Sequence, residues 1–455
     1  MKTDENTARR LHRIPSGWLY LSVAMITGLL LRLLFRLRIH RDSALRHLRG
    51  PVVVIGNHLS YLDPFIMAAV MLPRRINFLA TASFFRFRLI RKALTAVGAI
   101  PKVQFRSDLH ALKRMIAAHR AGGVLGIYPE GQRTLDGCMM PIDEAIAKLV
   151  HKLDCPVVSV IEHGAYLAWP RWSLSGLRPG RIDVTAKLLF SGGEAGKLDV
   201  TQVRERIVSA LSYQEYDWQR ANHHVYLSTA PARGLHLICH KCPACGRSQA
   251  MTSSRFHLTC RYCGNRGRVD RFGLIRPEAG HAASQVWPDA AQWHRWQMDE
   301  QRRDMRVADY KLSFWVRLDR PAEDGTIVAA GSGLLELTGS GLKFQMDQAQ
   351  TGENDQAGNS DETGQTGQTG QTGQLGMTLQ FPVLNRTGVN ADYGRNCELV
   401  YNDQVYRFVF SGSQDVIVLV DAIQAIQAMT DEKGKMRPDN HRQDGGRYER
   451  LYLES

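Results

Sequence analysis

The amino-acid sequence predicts an α/β domain, a sheet flanked by helices, followed by a small cysteine-rich module and a mainly-β domain closed by a helix. Between residues 46 and 228, strand-like runs alternate with helical patterns, which is typical of an α/β sheet. Two Cys-x2-Cys pairs then occur within residues 242–263, and from residue 310 apolar and polar residues alternate as they do in antiparallel strands. At 455 residues, the chain has room for about two to four domains.

Changes in composition divide the chain into six segments. We expect a basic N-terminus with a membrane-associated helix (1–45), the α/β domain (46–228), the cysteine module (229–275), a connecting helix (276–309), the β domain (310–430) and a polar tail (431–455). Within the β domain, residues 349–376 include four consecutive Thr-Gly-Gln units. Such a low-complexity loop cannot contribute to a packed core.

The N-terminal segment contains an apolar stretch. Residues 16–31 carry no charge, and three arginines, Arg32, Arg36 and Arg38, follow. Sixteen residues are slightly fewer than the roughly 20 that cross a bilayer, and no small-residue cleavage site marks a signal peptide. We therefore expect a membrane-embedded or interfacial helix with its arginines on the cytoplasmic side. A buried helix of a soluble domain is the alternative.

The first candidate for chemistry is the stretch from Val52 to Pro64. A run of β-branched residues predicts a buried strand that ends at Gly56, and His58 and Asp63 follow it with four residues between them. Histidine is suited to accepting a proton near neutral pH, and a nearby carboxylate can fix its tautomer. Since no Ser, Cys or Lys stands out as a nucleophile beside them, the pattern favours a general base that acts on a substrate hydroxyl. The alternative is that both residues merely cap the next helix.

The remaining elements of the α/β domain follow in order. The pattern predicts helices at 64–72, 84–97, 109–121, 143–153 and 200–211, and strands at 76–80, 124–128, 157–161 and 181–190. The strand at 124–128 leads directly into Pro129, Glu130 and Gly131. Because both chemical blocks follow strand ends, we expect them to face one cleft.

Four ordered blocks carry a resemblance to a known family. Residues 57–63 (NHLSYLD), 97–102 (VGAIPK), 127–134 (IYPEGQRT) and 154–160 (DCPVVSV) resemble the four blocks of the glycerolipid acyltransferases, the 1-acylglycerol-3-phosphate acyltransferase family. The resemblance extends to about residue 215. Gln132, Thr134 and Ser159 depart from the residues common in that family, and Arg106 stands four residues beyond Lys102.

The resemblance implies an α/β acyltransferase core and a role in phospholipid biosynthesis. The expected reaction moves an acyl group from acyl-CoA or acyl-carrier protein to the free hydroxyl of a lysophospholipid, with 1-acylglycerol-3-phosphate, which yields phosphatidate, as the first choice. His58 would be the general base and Asp63 its orienting partner. No catalytic cofactor is implied. Another lipid acceptor is the alternative.

The block that follows the strand at 124–128 suits an acceptor phosphate. Arg133 offers a planar fork that matches phosphate oxygens, and Lys102 or Arg106 would supply a second cation. Glu130 would position Arg133 or the loop, and Gly131 would permit close backbone approach. The resemblance likewise implies that this block binds the acceptor phosphate. An ion pair of Arg133 with Glu130 or Asp136 is the alternative.

The charge of the chain points to an anionic partner. The net charge is +14, and residues 74–120 hold eleven Lys or Arg residues against one Asp, a local charge of +10. Phe78, Phe84, Phe85, Phe87 and Leu89 are interleaved with these charges, as expected of a surface that enters an anionic membrane. No recognisable nucleic-acid-binding motif accompanies them, which argues against nucleic acid.

The cysteine module predicts a structural zinc ribbon. Cys242 and Cys245 form one pair, and Cys260 and Cys263 form the other. Four thiolates complete a tetrahedral zinc site and leave no open position for catalysis. Cys239 also lies three residues before Cys242 and could compete as a ligand. This spacing indicates a reducing, intracellular compartment.

The β domain looks like a pleckstrin-homology-like or GRAM-like barrel, since several predicted antiparallel strands precede an apolar helix at 416–429. The resemblance rests on pattern alone, and it implies binding of a membrane or a protein partner. A second class of function is therefore a lipid- or partner-docking adaptor, in which the ribbon and β domain dock and the first domain is secondary.

Overall fold

A computed structural model describes residues 15–102, 108–278, 284–306, 310–321, 327–347, 378–382, 388–392, 394–402 and 404–435. The low-complexity loop predicted at 349–376 and the tail beyond Lys435 lie outside the described residues. The chain divides into two compact units, Met1–Gln297 and Met298–Ser455.

Seven strands of the first unit form one mixed sheet. They are β1 (Arg38–Arg41), β2 (Val52–Gly56), β3 (Ile76–Thr81), β4 (Ile100–Lys102), β5 (Val124–Ile127), β6 (Val157–His163) and β7 (Asp183–Phe190), in the order β1-β7-β6-β2-β5-β3-β4. The five adjacent strands β4, β3, β5, β2 and β6 run parallel. Strand β7 is antiparallel to β6 and pairs with β1 in parallel. The carboxyl ends of parallel strands share one edge. The turns after β2 and β5 therefore lie side by side.

Eight helices accompany this sheet in the described part of the first unit, before the cysteine module. They are α1 (Gly17–Phe35), α2 (Asp63–Met71), α3 (Arg88–Ala96), α4 (Leu109–Arg120), α5 (Glu144–Leu153), α6 (Ala165–Ala168), α7 (Val200–Leu211) and α8 (Glu215–Asn222). Side-chain caps fix several starts: Asp108, Asp143 and Asp199 each accept a hydrogen bond from a backbone N–H in the first turn. Every residue of β2 and of β5 is buried, as expected of central strands covered on both faces. The predicted α/β domain is confirmed.

Helix α1 has two different faces. Tyr20, Ala24, Gly28, Leu31 and Phe35 are buried, and a Cβ added at Gly28 would lie 3.4 Å from the Cβ of Ala69 on α2. The other face exposes large apolar side chains, namely Trp18, Val23, Met25, Ile26, Leu29, Leu30, Leu33 and Leu34. By length and composition the helix could cross a membrane.

The structure adds β1, β4, α6 and α8, which the sequence pattern did not predict, and it divides one predicted helix. Strand β1 was not predicted, because four residues with mostly exposed side chains carry no periodic signal. The helix predicted at 84–97 is divided: a 3-10 turn at Ala82–Arg86 precedes α3, and Phe87 between them has an extended backbone. An extended residue interrupts the helical hydrogen-bond ladder.

The cysteine module forms a four-stranded antiparallel sheet within the first unit. Its strands are β8 (Met251–Ser253), β9 (His257–Cys260), β10 (Arg266–Val269) and β11 (Ile275–Pro277). The next helix, α9 (Ala290–Asp304), holds the module through Lys241, which immediately precedes Cys242. The backbone N–H of Lys241 donates to Gln297 and its carbonyl accepts from the Trp293 indole, both at 3.0 Å.

The described part of the second unit is a seven-stranded antiparallel sheet followed by a helix. Its elements are β12 (Lys311–Pro321), β13 (Ile327–Thr338), β14 (Gly341–Met346), β15 (Thr378–Phe381), β16 (Gly388–Asp392), β17 (Asn396–Tyr401), β18 (Gln404–Phe410) and α10 (Asp415–Lys435). The strand order is β15-β14-β13-β12-β18-β17-β16. Phe344 and Phe408 on the sheet and Ile417 and Leu419 on α10 are fully buried. The predicted mainly-β domain with a C-terminal helix is confirmed.

Candidate active site

The turn after β2 brings His58 and Asp63 together. The Nδ1 atom of His58 lies 2.7 Å from Oδ2 of Asp63. The His58 side chain is 20% exposed, whereas that of Asp63 is 0% exposed. The pair therefore has one member open to the surface and one fixed inside the protein. With Nδ1 directed at the carboxylate, Nε2 is the ring nitrogen that can meet a substrate.

The backbone of the same turn holds the Asp63 carboxylate. Its oxygens accept hydrogen bonds from the N–H of Leu59 at 2.6 Å and from the N–H and hydroxyl of Ser60 at 2.9 and 2.7 Å. Asp63 is also the first residue of α2, where a carboxylate interacts favourably with the helix dipole. The carboxylate thus accepts from N–H groups that precede the helix, not from the first turn that a cap would bind, and it also binds His58.

Glu130 bridges the two chemical blocks. Its Oε1 accepts a hydrogen bond from the backbone N–H of His58, and its Oε2 accepts one from the backbone N–H of Met140, both at 2.8 Å. A further backbone bond joins the N–H of Thr134 to the carbonyl of His58 at 2.8 Å. Glu130 therefore ties the His58 turn to the loop that follows β5.

Two other contacts fix the surroundings of His58. The ring of Tyr128 stacks on the ring of His58, with 4.3 Å between the centroids and 17° between the planes. The side-chain amide of Asn57 bonds both to the backbone N–H and to the carbonyl of Glu162, each at 2.9 Å. The imidazole is thus packed from one side, and the end of β2 is tied to the end of β6.

Three further carboxyl groups are buried around Asp63. Burial raises the pKa of Glu130 to about 7 and that of Glu215 to about 8, and it raises the pKa of Glu162 well above its ordinary value. The negative charge of Asp63 raises all three further. Burial disfavours the ionised form of each carboxyl group, since little water is present to solvate the charge. Asp63 differs from Glu162 in having several N–H and O–H donors on its oxygens.

Arg133 lies beside the pair without a carboxylate partner among the described residues. Its guanidinium carbon is 3.4 Å from the centroid of the Tyr61 ring, and its Nη1 atom is buried without a hydrogen-bond partner in the described part of the chain. Burial lowers the pKa of Arg133, and the charge of Arg171 lowers it further. The sequence also left open an ion pair of Arg133 with Asp136. The Oδ2 atom of Asp136 instead lies 3.0 Å from Nδ1 of His294.

A second arginine stands next to Arg133. The Nη1 atom of Arg171 lies 3.4 Å from the backbone carbonyl of Arg133 and 3.4 Å from the side-chain oxygen of Gln132. Arg171 follows α6, and Trp169 just before it packs its ring 4.8 Å from that of Tyr61. The sequence did not predict a role for Arg171, because aromatic residues beside prolines, as in its Trp-Pro-Arg-Trp segment, usually serve packing.

Three other residues are expected at the phosphate site, and the structure describes two of them. Lys102 ends β4 and thus lies at the same edge of the sheet as His58, but β3 separates β4 from β5. Arg106 lies outside the described residues. Gly131 has a positive φ of 72°, and no atom lies within 4 Å of a Cβ added there. The space beside its backbone is therefore open, as close approach of a ligand requires.

The four cysteines of the predicted ribbon form one cluster. The sulfur atoms of Cys242, Cys245, Cys260 and Cys263 all lie within 4.8 Å of one another. Two of the separations are 3.6 and 3.8 Å, close to the ~3.8 Å edge of a tetrahedron of sulfurs around zinc. This cluster, found among the described residues, does not include Cys239. The residues present could therefore hold a metal ion.

Comparison with known sequences finds a family match in the first unit. Residues 36–162 match the family described as Acyltransferase. This match covers the whole His58 turn, β5 and the Glu130 loop.

Curated relatives then point to particular enzymes. The chain is 26% identical over 164 residues to a chloroplastic 1-acyl-sn-glycerol-3-phosphate acyltransferase of Brassica napus, a match that covers 36% of this chain and 47% of the relative. It is 29% identical over 164 residues to the 1-acyl-sn-glycerol-3-phosphate acyltransferase of Chlamydomonas reinhardtii, covering 35% and 48%. The chain thus spans about half the length of the curated relatives that it matches.

Among solved structures, the chain is similar to the 1-acyl-sn-glycerophosphate acyltransferase PlsC from Thermotoga maritima. The identity is 17%, the TM-score is 0.34, and the match covers 41% of this chain and 75% of that one.

Replacing Glu130 by Gln tests the bridge between the two blocks. Both Glu130 oxygens accept from backbone N–H groups, and an amide offers only one oxygen, so one N–H loses its acceptor. We expect the free energy of unfolding to fall by about 1–3 kcal/mol and kcat to fall with it. Denaturant unfolding and acyl-transfer assays would measure both effects, with Glu205→Gln on the exposed face of α7 as control. Equal behaviour of the two variants would contradict the bridging role.

Proposed function

We propose that this chain is an O-acyltransferase that esterifies the free hydroxyl of a lysophospholipid, with 1-acylglycerol-3-phosphate as its acceptor and phosphatidate as its product. The observation that carries the proposal is the 2.7 Å contact between His58 and the buried Asp63. The names of the relatives support the acceptor. Acyl-CoA or acyl-carrier protein would supply the acyl group as a thioester.

The geometry suits general-base catalysis at His58. Nε2 of the imidazole accepts the proton of the acceptor hydroxyl while the hydroxyl oxygen attacks the thioester carbonyl carbon. Collapse of the tetrahedral intermediate breaks the C–S bond, and the imidazolium returns the proton to the thiolate that leaves. Asp63 holds the tautomer with Nδ1–H and stabilises the imidazolium in between. These steps use side chains alone and form no covalent intermediate with the enzyme.

Arg133 would bind the acceptor phosphate. Its Nη1 atom is buried and has no partner in the described part of the chain, and a buried donor of this kind is stabilised by an anionic acceptor. Tyr61 beneath the guanidinium holds it in one plane. Lys102 and Arg106 remain proposed second cations.

The enzyme would work at an anionic membrane surface on the cytoplasmic side. The exposed face of α1 is apolar, and Phe87, Leu89 and Ile90 are exposed at the start of α3, among Arg88, Arg91 and Lys92. A backbone bond from Ser16 to Ala96 at 3.2 Å joins the start of α1 to the end of α3. Both helices thus expose apolar side chains, and α3 exposes basic ones among them, as expected for interfacial binding.

The C-terminal parts would support this activity. We propose a structural zinc ion on Cys242, Cys245, Cys260 and Cys263, and a pleckstrin-homology-like or GRAM-like fold for the second unit. Seven antiparallel strands followed by a helix support the latter. Such a unit would bind a membrane or a protein partner.

The proposed activity is tested by incubating membranes that contain the chain with labelled acyl-CoA or acyl-carrier protein and a panel of lysophospholipids. We expect labelled phosphatidate, and a fall of about 100-fold or more in its rate with His58→Ala, since a general base contributes roughly that factor or more. His47→Ala, an exposed histidine, serves as control. Transfer that survives in His58→Ala, or no transfer to any acceptor, would overturn the proposal.

The metal proposal is tested by elemental analysis and thermal unfolding of the purified full-length chain. We expect about one zinc per chain, and loss of that zinc with a lower unfolding temperature for Cys260→Ser. The module contacts α9 closely, so its loss should destabilise the first unit. Cys239→Ser should keep the zinc, because Cys239 lies outside the cluster. Zinc retained by Cys260→Ser, or lost from Cys239→Ser, would refute this ligand set.

A further inference from the structure

Two loops of the first unit, residues 173–180 and residues 223–234, expose large apolar side chains and are named here the leucine loops. Leu227 is 64% exposed and Leu174 is 56% exposed. The full set of large apolar side chains exposed on these loops is Leu174, Leu177, Val225 and Leu227. A single exposed apolar residue is ordinary, but several on adjoining loops indicate an interaction surface.

The leucine loops are joined to each other by hydrogen bonds. The N–H of Leu174 donates to the carbonyl of Arg233 at 3.1 Å, and the N–H of Leu227 donates to the carbonyl of Pro179 at 2.8 Å. A buried side chain of the first loop, that of Arg178, adds a bond to a carbonyl of the second loop at 2.9 Å. The exposed leucines therefore belong to one fixed part of the surface.

Three exposed arginines stand on or beside the leucine loops. Arg233 is itself part of the second loop. The Nε atom of Arg255 donates to the carbonyl of Thr229 at 3.1 Å. The backbone carbonyl of Arg271 accepts from the N–H of Tyr226 at 2.9 Å. Basic side chains thus accompany the apolar ones.

The segments that build this surface contain no acidic residue. Residues 163–182 and residues 218–269 include no Asp or Glu, and the second of these segments contains eight Lys or Arg. An excess of positive charge favours an anionic partner. A water-soluble polyanion would pair with the arginines but would leave the leucines in water. An anionic membrane satisfies both, because its headgroups bind the arginines while its acyl chains cover the leucines.

The first leucine loop leads to the end of helix α1, which the proposed function places at a membrane. Just after this loop, the N–H of Ile182 donates to the carbonyl of Phe35, the last residue of α1, at 3.0 Å. Leu33 and Leu34 in the last turn of α1 are exposed, and the exposed Arg36 follows them. A membrane that covers this end of α1 would therefore lie close to the leucine loops.

We propose that the leucine loops form a further membrane-contact surface, at which the leucines enter an anionic leaflet and Arg233, Arg255 and Arg271 bind its headgroups. The proposal rests on the proposed membrane location of the chain, but not on acyl transfer. Contact through these loops as well as through α1 would fix the orientation of the first unit on the bilayer, because a single helix would leave it free to turn about the helix axis.

The test is photochemical labelling of the full-length chain by phospholipids that carry a diazirine in the acyl chain. The vesicles contain phosphatidylglycerol and phosphatidylcholine without an acyl donor, and mass spectrometry identifies the labelled peptides. We expect label on both leucine loops as well as on α1, and only background on the exposed face of α7. On vesicles of phosphatidylcholine alone, the label on the loops should fall about tenfold or more, because the arginines lose their anionic partners.

A double variant tests the leucines themselves. Leu174→Glu combined with Leu227→Glu should lower the label on both loops about tenfold or more, since burial of two leucines no longer favours contact. The label on α1 should stay unchanged. Both side chains are exposed, so the unfolding temperature should match that of the wild type. Ser209→Glu, at an exposed position of α7, is the matched control and should leave all labelling unchanged.

The outcomes separate this inference from the proposed reaction. Label on the loops of a chain that transfers no acyl group would support the inference while the proposed reaction fails. Label on α1 without label on the loops would overturn the inference and leave the proposed reaction standing. Equal label on anionic and neutral vesicles, or label on the loops that the two glutamates do not reduce, would also overturn it.

Discussion

The hydrogen bonds that converge on the Asp63 carboxylate are the interaction on which the candidate site depends. A fully buried carboxylate is unfavourable unless donors replace its water, and the turn after β2 supplies them through Leu59 and Ser60. These bonds can form only if the chain leaves β2 in this conformation, so the same contacts that stabilise Asp63 also aim His58 outward. The sheet contributes the second half of the site, because β5 pairs with β2 in parallel and brings Glu130 beneath the His58 backbone.

The site combines rigid parts with a side at which we propose that an anion binds. Tyr128 packs against the imidazole, Glu130 joins the two loops, and Asn57 ties the ends of β2 and β6, which leaves His58 little freedom. Opposite these contacts, Arg133 presents a buried Nη1 that no described residue binds. The proposed acceptor, with an anionic headgroup and a nearby hydroxyl, would suit this arrangement, and the apolar face of α1 would bring its acyl chain to the same protein.

Sequence reasoning succeeded where the signal is local. His58 and Asp63 are five residues apart, so one turn decides their contact, and the burial of β2 follows from its β-branched residues. The cysteine spacing likewise predicted a cluster whose sulfur separations suit a metal. Contacts that depend on the tertiary fold could not be found in this way: Glu130 and His58 are 72 residues apart, and Arg171 reaches Arg133 across 38.

The central claim, that Asp63 acts on the reaction through His58, is tested most directly by a double-mutant cycle on kcat for acyl transfer. The rates of His58→Ala, Asp63→Asn and the double variant are compared with the wild type under saturating acceptor. If Asp63 works only by orienting and stabilising the imidazole, the double variant should be about as slow as His58→Ala alone, since residues that act as a unit are not additive. Two losses that multiply would show that Asp63 acts independently of His58 and would contradict the account.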